Sequence, residues 1–301
     1  MRHQLKFWLL LAAFAMPIPS RAVIFYSTGD INYNTTAPGG STNAAWSAEG
    51  EFSSYLGTPI AANYFITAQH FGGSVGSSFV YGGSTYTTTA LYRDPNSDLA
   101  IWQVNNPFPN WAPLYTGSDE VGQSAVIVGR GTQRGDVVVA SNGTTNGWLW
   151  GTQDGVKRWG ENVIDGAVNA HGTNYLYANF DAGAGPNECT LSSGDSGGAM
   201  FIWTGSAWAL AGINYGVEGP FNTTNSGSGF SAAVYNANGL YIKDGGWQLV
   251  TNDIAAAFYV TRISTEIDWI NSVVPEPSSL TLVGFSLLAL LARCRATRRC
   301  R

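Results

Sequence analysis

Cysteine, histidine and charge are what this sequence has least of. Of its three cysteines, Cys294 and Cys300 stand close to the C-terminal end, which leaves Cys189 alone in the remainder and excludes a disulfide framework. Three histidines, at positions 3, 70 and 171, provide no metal-ligand cluster, and no cofactor is implied. Charged residues make up 12% of the 301. Close acidic pairs such as Glu49/Glu51 and Asp119/Glu120 read as solvated faces, because calcium needs several oxygen ligands at defined spacing and none is visible here. Sustained helical periodicity is missing from the interior as well, so a helical bundle is excluded.

What is present is glycine (37), tyrosine (14), phenylalanine (14) and tryptophan (11), in a chain that is 45% hydrophobic. Short runs of Val, Ile, Thr, Tyr and Trp alternate with Gly, Asn, Ser and Asp clusters, which predicts an all-β fold rich in turns. The composition is ample for a sizeable core and is not that of a disordered chain.

The two ends stand apart from the fold. Arg2 and Lys6 precede the apolar run Phe7–Met16, and Ser20-Arg21-Ala22 places small residues two apart, the order of a secretory signal cleaved near Ala22. An uncleaved anchor would need a longer apolar run, since spanning takes roughly 20 residues. At the other end, Val274-Pro275-Glu276-Pro277-Ser278-Ser279 leads into the apolar segment 280–292 and then Arg293, Arg295, Arg298, Arg299 and Arg301. That order, breaker then apolar run then basic stop, suits a segment entering a bilayer with its arginines held on the cytoplasmic side. It resembles the PEP-CTERM sorting signal of Gram-negative bacteria. The resemblance implies an exosortase-type partner in the inner membrane, a transient membrane association, and delivery to the exterior, cell surface or extracellular matrix; a plain tail anchor is the alternative.

Without these ends, 7 Lys+Arg face 19 Asp+Glu, a net charge near −12. A nucleic-acid partner is excluded on that balance.

Hydrolysis by a serine needs an exposed hydroxyl, a base, a group orienting the base, and donors for the oxyanion. Gly194-Asp195-Ser196-Gly197-Gly198 supplies the nucleophile Ser196, with the N–H groups of Gly194 and Ser196 as candidate oxyanion donors. Thr67-Ala68-Gln69-His70 closes the apolar run Tyr64-Phe65-Ile66 and delivers His70 at a strand end, whereas His171 lies in a loop-like stretch and reads as a surface residue. Asp98 precedes the apolar run Leu99–Trp102 and is favoured over Asp94, which sits in a polar Asp-Pro turn.

These segments, in the order His, Asp, Ser, are similar to those of the chymotrypsin family of serine peptidases. Further likeness comes from Leu56–His70, from Val128-Gly129-Arg130-Gly131-Thr132, from Ala211–Gly216, and from Tyr259–Ile263 followed by Ile267–Ile270. The resemblance implies two antiparallel β-barrels, about 23–112 and 113–273, crossing at Asn105–Pro113 and ending in a short helix, between a signal peptide (1–22) and the sorting segment (274–301). It implies a serine endopeptidase acting on a polypeptide through an acyl-enzyme, with Thr190, Asn214, Tyr215 and Gly216 lining the substrate. The alternative is a catalytically silent fold serving as a cell-surface or matrix binding module, which an active-site serine probe would separate from the enzyme.

Three departures from the family pattern matter. The usual mature start is absent, and the nearest match is Val23-Ile24. Asp195, which in the family pairs with the new α-amine, is therefore left to the amine freed by signal removal or to Arg130, Arg134 or Arg158. The cysteine bridges near the histidine and the pocket cannot form, and Val217–Ala257 is longer and more irregular than the family pattern. Thr190, at the position of the pocket base, predicts a preference for an uncharged side chain on the acyl side of the cleaved bond, with Glu218 as the one nearby carboxylate that could alter this.

Overall fold

The computed structural model describes residues 20–21 and 23–275, so most of the expected signal and the sorting segment from 276 onward lie outside the described residues. Alternation builds the first half. The strands are β1 (Gly50–Phe52), β2 (Tyr55–Ala61), β3 (Tyr64–Ala68), β4 (Ser78–Tyr81), β5 (Ser84–Arg93) and β6 (Leu99–Val104), closed into a barrel in the order β1-β2-β3-β6-β5-β4. On β4 and β5, Phe79, Tyr81 and Tyr86 are buried while Ser78, Val80, Thr85 and Thr87 are exposed, a period of two. The buried rings fill the barrel with Phe52, Phe65 and Trp102, and Phe65 stacks on Phe79 at 3.9 Å. A barrel this small is a packed core and holds no lumen.

The second half comprises β7 (Ser124–Gly129), β8 (Thr132–Val139), β9 (Thr145–Gln153), β10 (Arg158–Val163), β11 (Gly166–Ala170), β12 (Thr173–Asn179), β13 (Ala199–Trp203), β14 (Trp208–Val217), β15 (Ala232–Val234) and β16 (Ala257–Arg262). Seven of these form an antiparallel sheet in the order β10-β7-β13-β14-β16-β12-β11. The expected β fold with a short C-terminal helix, Ile267–Val273, is what the chain adopts. Residues 105–113 cross between the halves, held by N–H bonds from Phe108 to the Ala62 carbonyl (2.6 Å) and from Ala112 to the Pro59 carbonyl (2.9 Å).

One apolar cluster joins the halves. Leu56, Ile66 and Leu99 of the barrel pack with Val128, Phe201 and Ile213 of the sheet and with Ile270 of the helix. Each such side chain contributes about 1.5–3 kcal/mol on burial, so this contact fixes the halves against each other where the crossing segment alone could not.

The stretch between β14 and β16 is folded into a lobe of its own. Phe221, Val234 and Leu240 pack against Val138 and Ala140 of the β8–β9 hairpin, and β15 pairs with β9. Two acidic residues expected on solvated faces are instead buried. Glu120 accepts Arg262 Nε and Nη2 at 2.8 and 2.5 Å and Ser264 Oγ at 2.6 Å, and the fully enclosed Glu49 carboxyl accepts Thr58 Oγ1 at 2.5 Å. Sequence spacing gave no sign of the Glu120 partners, which lie 142 and 144 residues along the chain.

Candidate active site

Strand β3 ends at Ala68, and the chain turns there because the Gln69 N–H bonds to the Asp98 carbonyl at 2.8 Å. This brings His70 beside the residue that opens β6. Asp98 Oδ1 accepts the His70 backbone N–H at 2.9 Å, and Oδ2 lies 2.6 Å from Nδ1. With a carboxylate at Nδ1, the proton sits on Nδ1 and leaves Nε2 as an acceptor. Nε2 stands 2.8 Å from Ser196 Oγ. Asp98 is mostly shielded, while the imidazole is 39% exposed and reachable from the cleft.

Asp94 is occupied elsewhere. It accepts the Asn96 N–H at 2.9 Å and Ser97 Oγ at 2.6 Å, closing its own turn. His171 is exposed at the β11–β12 turn with φ of 52°.

The nucleophile loop is braced from below. Asp195, 1% exposed, accepts N–H bonds from Gly131 (2.7 Å), Ser192 (2.7 Å) and Val23 (3.3 Å), and the Ser192 hydroxyl at 3.0 Å. Burial pushes its carboxyl up to about 6, and the N–H bonds oppose that shift. Gly129-Arg130-Gly131 is explained here: a Cβ on either glycine would collide with the Asp195 carboxylate. Of the three arginines considered for Asp195, Arg130 pairs with Glu51 (3.0 Å), Arg134 lies over the Trp148 ring, and Arg158 pairs with Asp154 (2.8 Å).

Gly194 takes φ of +94°, a left-handed conformation open to glycine, and among the described residues neither its N–H nor that of Ser196 has a partner. Two unpaired backbone donors beside the Ser196 hydroxyl are of the kind that can stabilise a developing oxyanion. Thr190 is buried and paired with Ile24, in the short ladder that also pairs Cys189 with Phe25. Asn214 is fully buried, and its Nδ2 donates to the Val128 and Asp195 carbonyls (2.9 and 3.1 Å), so its side chain braces the loop. Tyr215 is 40% exposed and meets the His70 ring edge-on at 5.9 Å, and the space around Gly216 is open. Glu218 is engaged by the Ala257 N–H (3.1 Å) and the Tyr259 hydroxyl (3.2 Å).

Sequence reasoning missed Gln153. Its carboxamide lies against Gly194, where a Cβ would strike it. Only the β8–β9 hairpin brings the two together, and no spacing in the sequence reports that.

A serine, an imidazole and a carboxylate are thus bonded in series at the junction of two antiparallel β units. The chain belongs to the trypsin-like peptidase domain family, whose profile matches residues 55–213. The PEP-CTERM protein-sorting motif matches residues 273–299. Among solved structures it is similar to HBP, solved at atomic resolution (15% identity, TM-score 0.47, 76% of this chain and 91% of that one). It is also similar to kallikrein-related peptidase 10 (17% identity, TM-score 0.44, 76% and 95%). No curated protein matches the chain.

Proposed function

We propose that this chain is an exported serine endopeptidase with Ser196 as nucleophile, His70 as general base and Asp98 as its orienting group. The observation that carries the reading is the unbroken series Asp98 Oδ2, His70 Nδ1, His70 Nε2, Ser196 Oγ at 2.6 and 2.8 Å. Ser196 Oγ attacks the scissile carbonyl as Nε2 takes its proton, and the oxyanion enters the space before the Gly194 and Ser196 N–H groups. His70 then protonates the leaving amine, and water attacks the acyl-enzyme by the same route in reverse.

Export supplies the last part. Cleavage near Ala22 would turn the Val23 N–H, 3.3 Å from Asp195 Oδ1, into a charged amine facing a buried carboxylate. The tail beyond Pro277 serves the sorting system that recognises the PEP-CTERM motif and is removed on export.

Substrate preference follows from Thr190, whose hydroxyl cannot offset desolvation of an arginine or lysine, and from Glu218, whose carboxylate is already held by Tyr259 and Ala257. Uncharged residues are therefore expected on the acyl side. An organophosphorus serine probe should label the mature protein on Ser196 and leave Ser196→Ala unlabelled; absence of an adduct on the folded protein would sink the mechanism. Dominant cleavage of a peptide library after Arg or Lys would overturn the specificity argument alone.

A further inference from the structure

The face that carries the chain into the sorting segment is uncharged. Two grooves meet there at Trp111, one running along Tyr64, Leu114 and Val274 to Pro275, the other passing Trp203 and Trp208. No Asp, Glu, Lys, Arg or His lines either one. Trp111 is 50% exposed and Trp203 39%, and Trp203 and Trp208 form a pair at 5.7 Å. On the helix Ile267–Val273, the exposed Asp268 belongs to neither lining, while Ile270 and Asn271 line the first groove.

The chain outside the structure says what meets this face. Only Glu276-Pro277-Ser278-Ser279 separates Pro275 from the apolar run that starts at Leu280. At about 3.3–3.6 Å per residue the stretch from Pro275 to Leu280 reaches at most roughly 18 Å. A headgroup layer takes up about 6 Å of that, which leaves roughly 12 Å, about one helix diameter. A domain tethered so closely must turn its tail-bearing side to the lipid. A chain with 19 acids against 7 bases between its ends is repelled by an anionic surface, and an uncharged face bearing half-exposed tryptophans is what the interface favours.

We propose that the uncharged tryptophan-bearing face around Trp111 rests on the bilayer interface while the C-terminal segment is inserted. This rests on the reading of residues 280–292 as the membrane segment. Tyr64 lines the groove at the start of β3, and His70 follows six residues later past the strand end. At a rise of about 3.3 Å per residue, the imidazole lies at most roughly 20 Å along the chain from the groove.

The test uses the full chain, with Cys294 and Cys300 changed to Ser, in phosphatidylcholine vesicles. The remaining Cys189 is fully buried. Single cysteines are placed at Ser206, which lines the second groove, and at Val75, 56% exposed in the loop after His70. Ser206→Cys should react with an aqueous maleimide at least about tenfold more slowly in vesicles than after the tail is cut, while Val75→Cys reacts equally in both. Equal rates for Ser206→Cys in vesicle-bound and tail-cut chains overturn the docking face. Failure of the chain to float with the vesicles overturns the membrane reading of the tail, and this proposal with it.

Discussion

A carboxylate sealed from solvent needs a cation or a proton, and Asp195 forms no ion pair among the described residues. On the proposed start at Val23 the cation is the freed amine. One Gly inserted ahead of Val23 should move that amine by a residue's length and cost about 3 kcal/mol of the buried pair, a loss in kcat/KM of roughly 100-fold with the fold retained by circular dichroism. Unchanged kcat/KM would remove Val23 from the mechanism. At the triad, Asp98→Asn should lower kcat about 10⁴-fold, because the amide stabilises the wrong imidazole tautomer. Steady-state assay against wild type decides it, and a loss below about tenfold would exclude Asp98 as the orienting group.

At the level of elements, the lobe between β14 and β16 holds the β8–β9 hairpin that presents Gln153 to Gly194. Phe221, 1% exposed in the lobe core, is the residue to cut. Phe221→Ala should cost about 3–5 kcal/mol locally. Hydrogen exchange should accelerate at Val138 and Gly147 and leave β3 and β6 unchanged, whereas uniform acceleration would mean that the lobe and core unfold as one. This lobe is also where the sequence was least legible. His70 and Asp98 each stand at the edge of an apolar run, where local pattern marks a strand end, and Ser196 lies in the run Gly194-Asp195-Ser196-Gly197-Gly198. The lobe rests on a three-residue ladder, Ala232–Val234 against Gly147–Leu149, between segments more than 80 residues apart, too short to leave a period. Glu120 escaped for the same reason, since Arg262 reaches it from 142 residues away, while Glu49 meets Thr58 across the β1–β2 hairpin.

For the whole molecule, buried carboxyls shape the response to pH, Glu49 and Glu188 more strongly than Asp195. Burial pushes both Glu49 and Glu188 up to about 8. The folded state thus keeps protons that the unfolded chain releases near 4.5, so unfolding releases protons between about pH 4.5 and 8 and stability falls as pH rises through that window. Tm should drop by on the order of 15 °C from pH 5 to 8, and Glu49→Gln with Glu188→Gln should flatten the profile; a double variant as steep as wild type would refute this. The Val23–Asp195 contact joins residues 172 apart, which bears on when the molecule can act. A ribosome must release about two-thirds of the domain before Asp195 exists to receive Val23. On the proposed start, the leader peptidase must also have cut. On the proposed function, synthesis order and translocation together act as a clock, and the cytoplasm never holds the finished form.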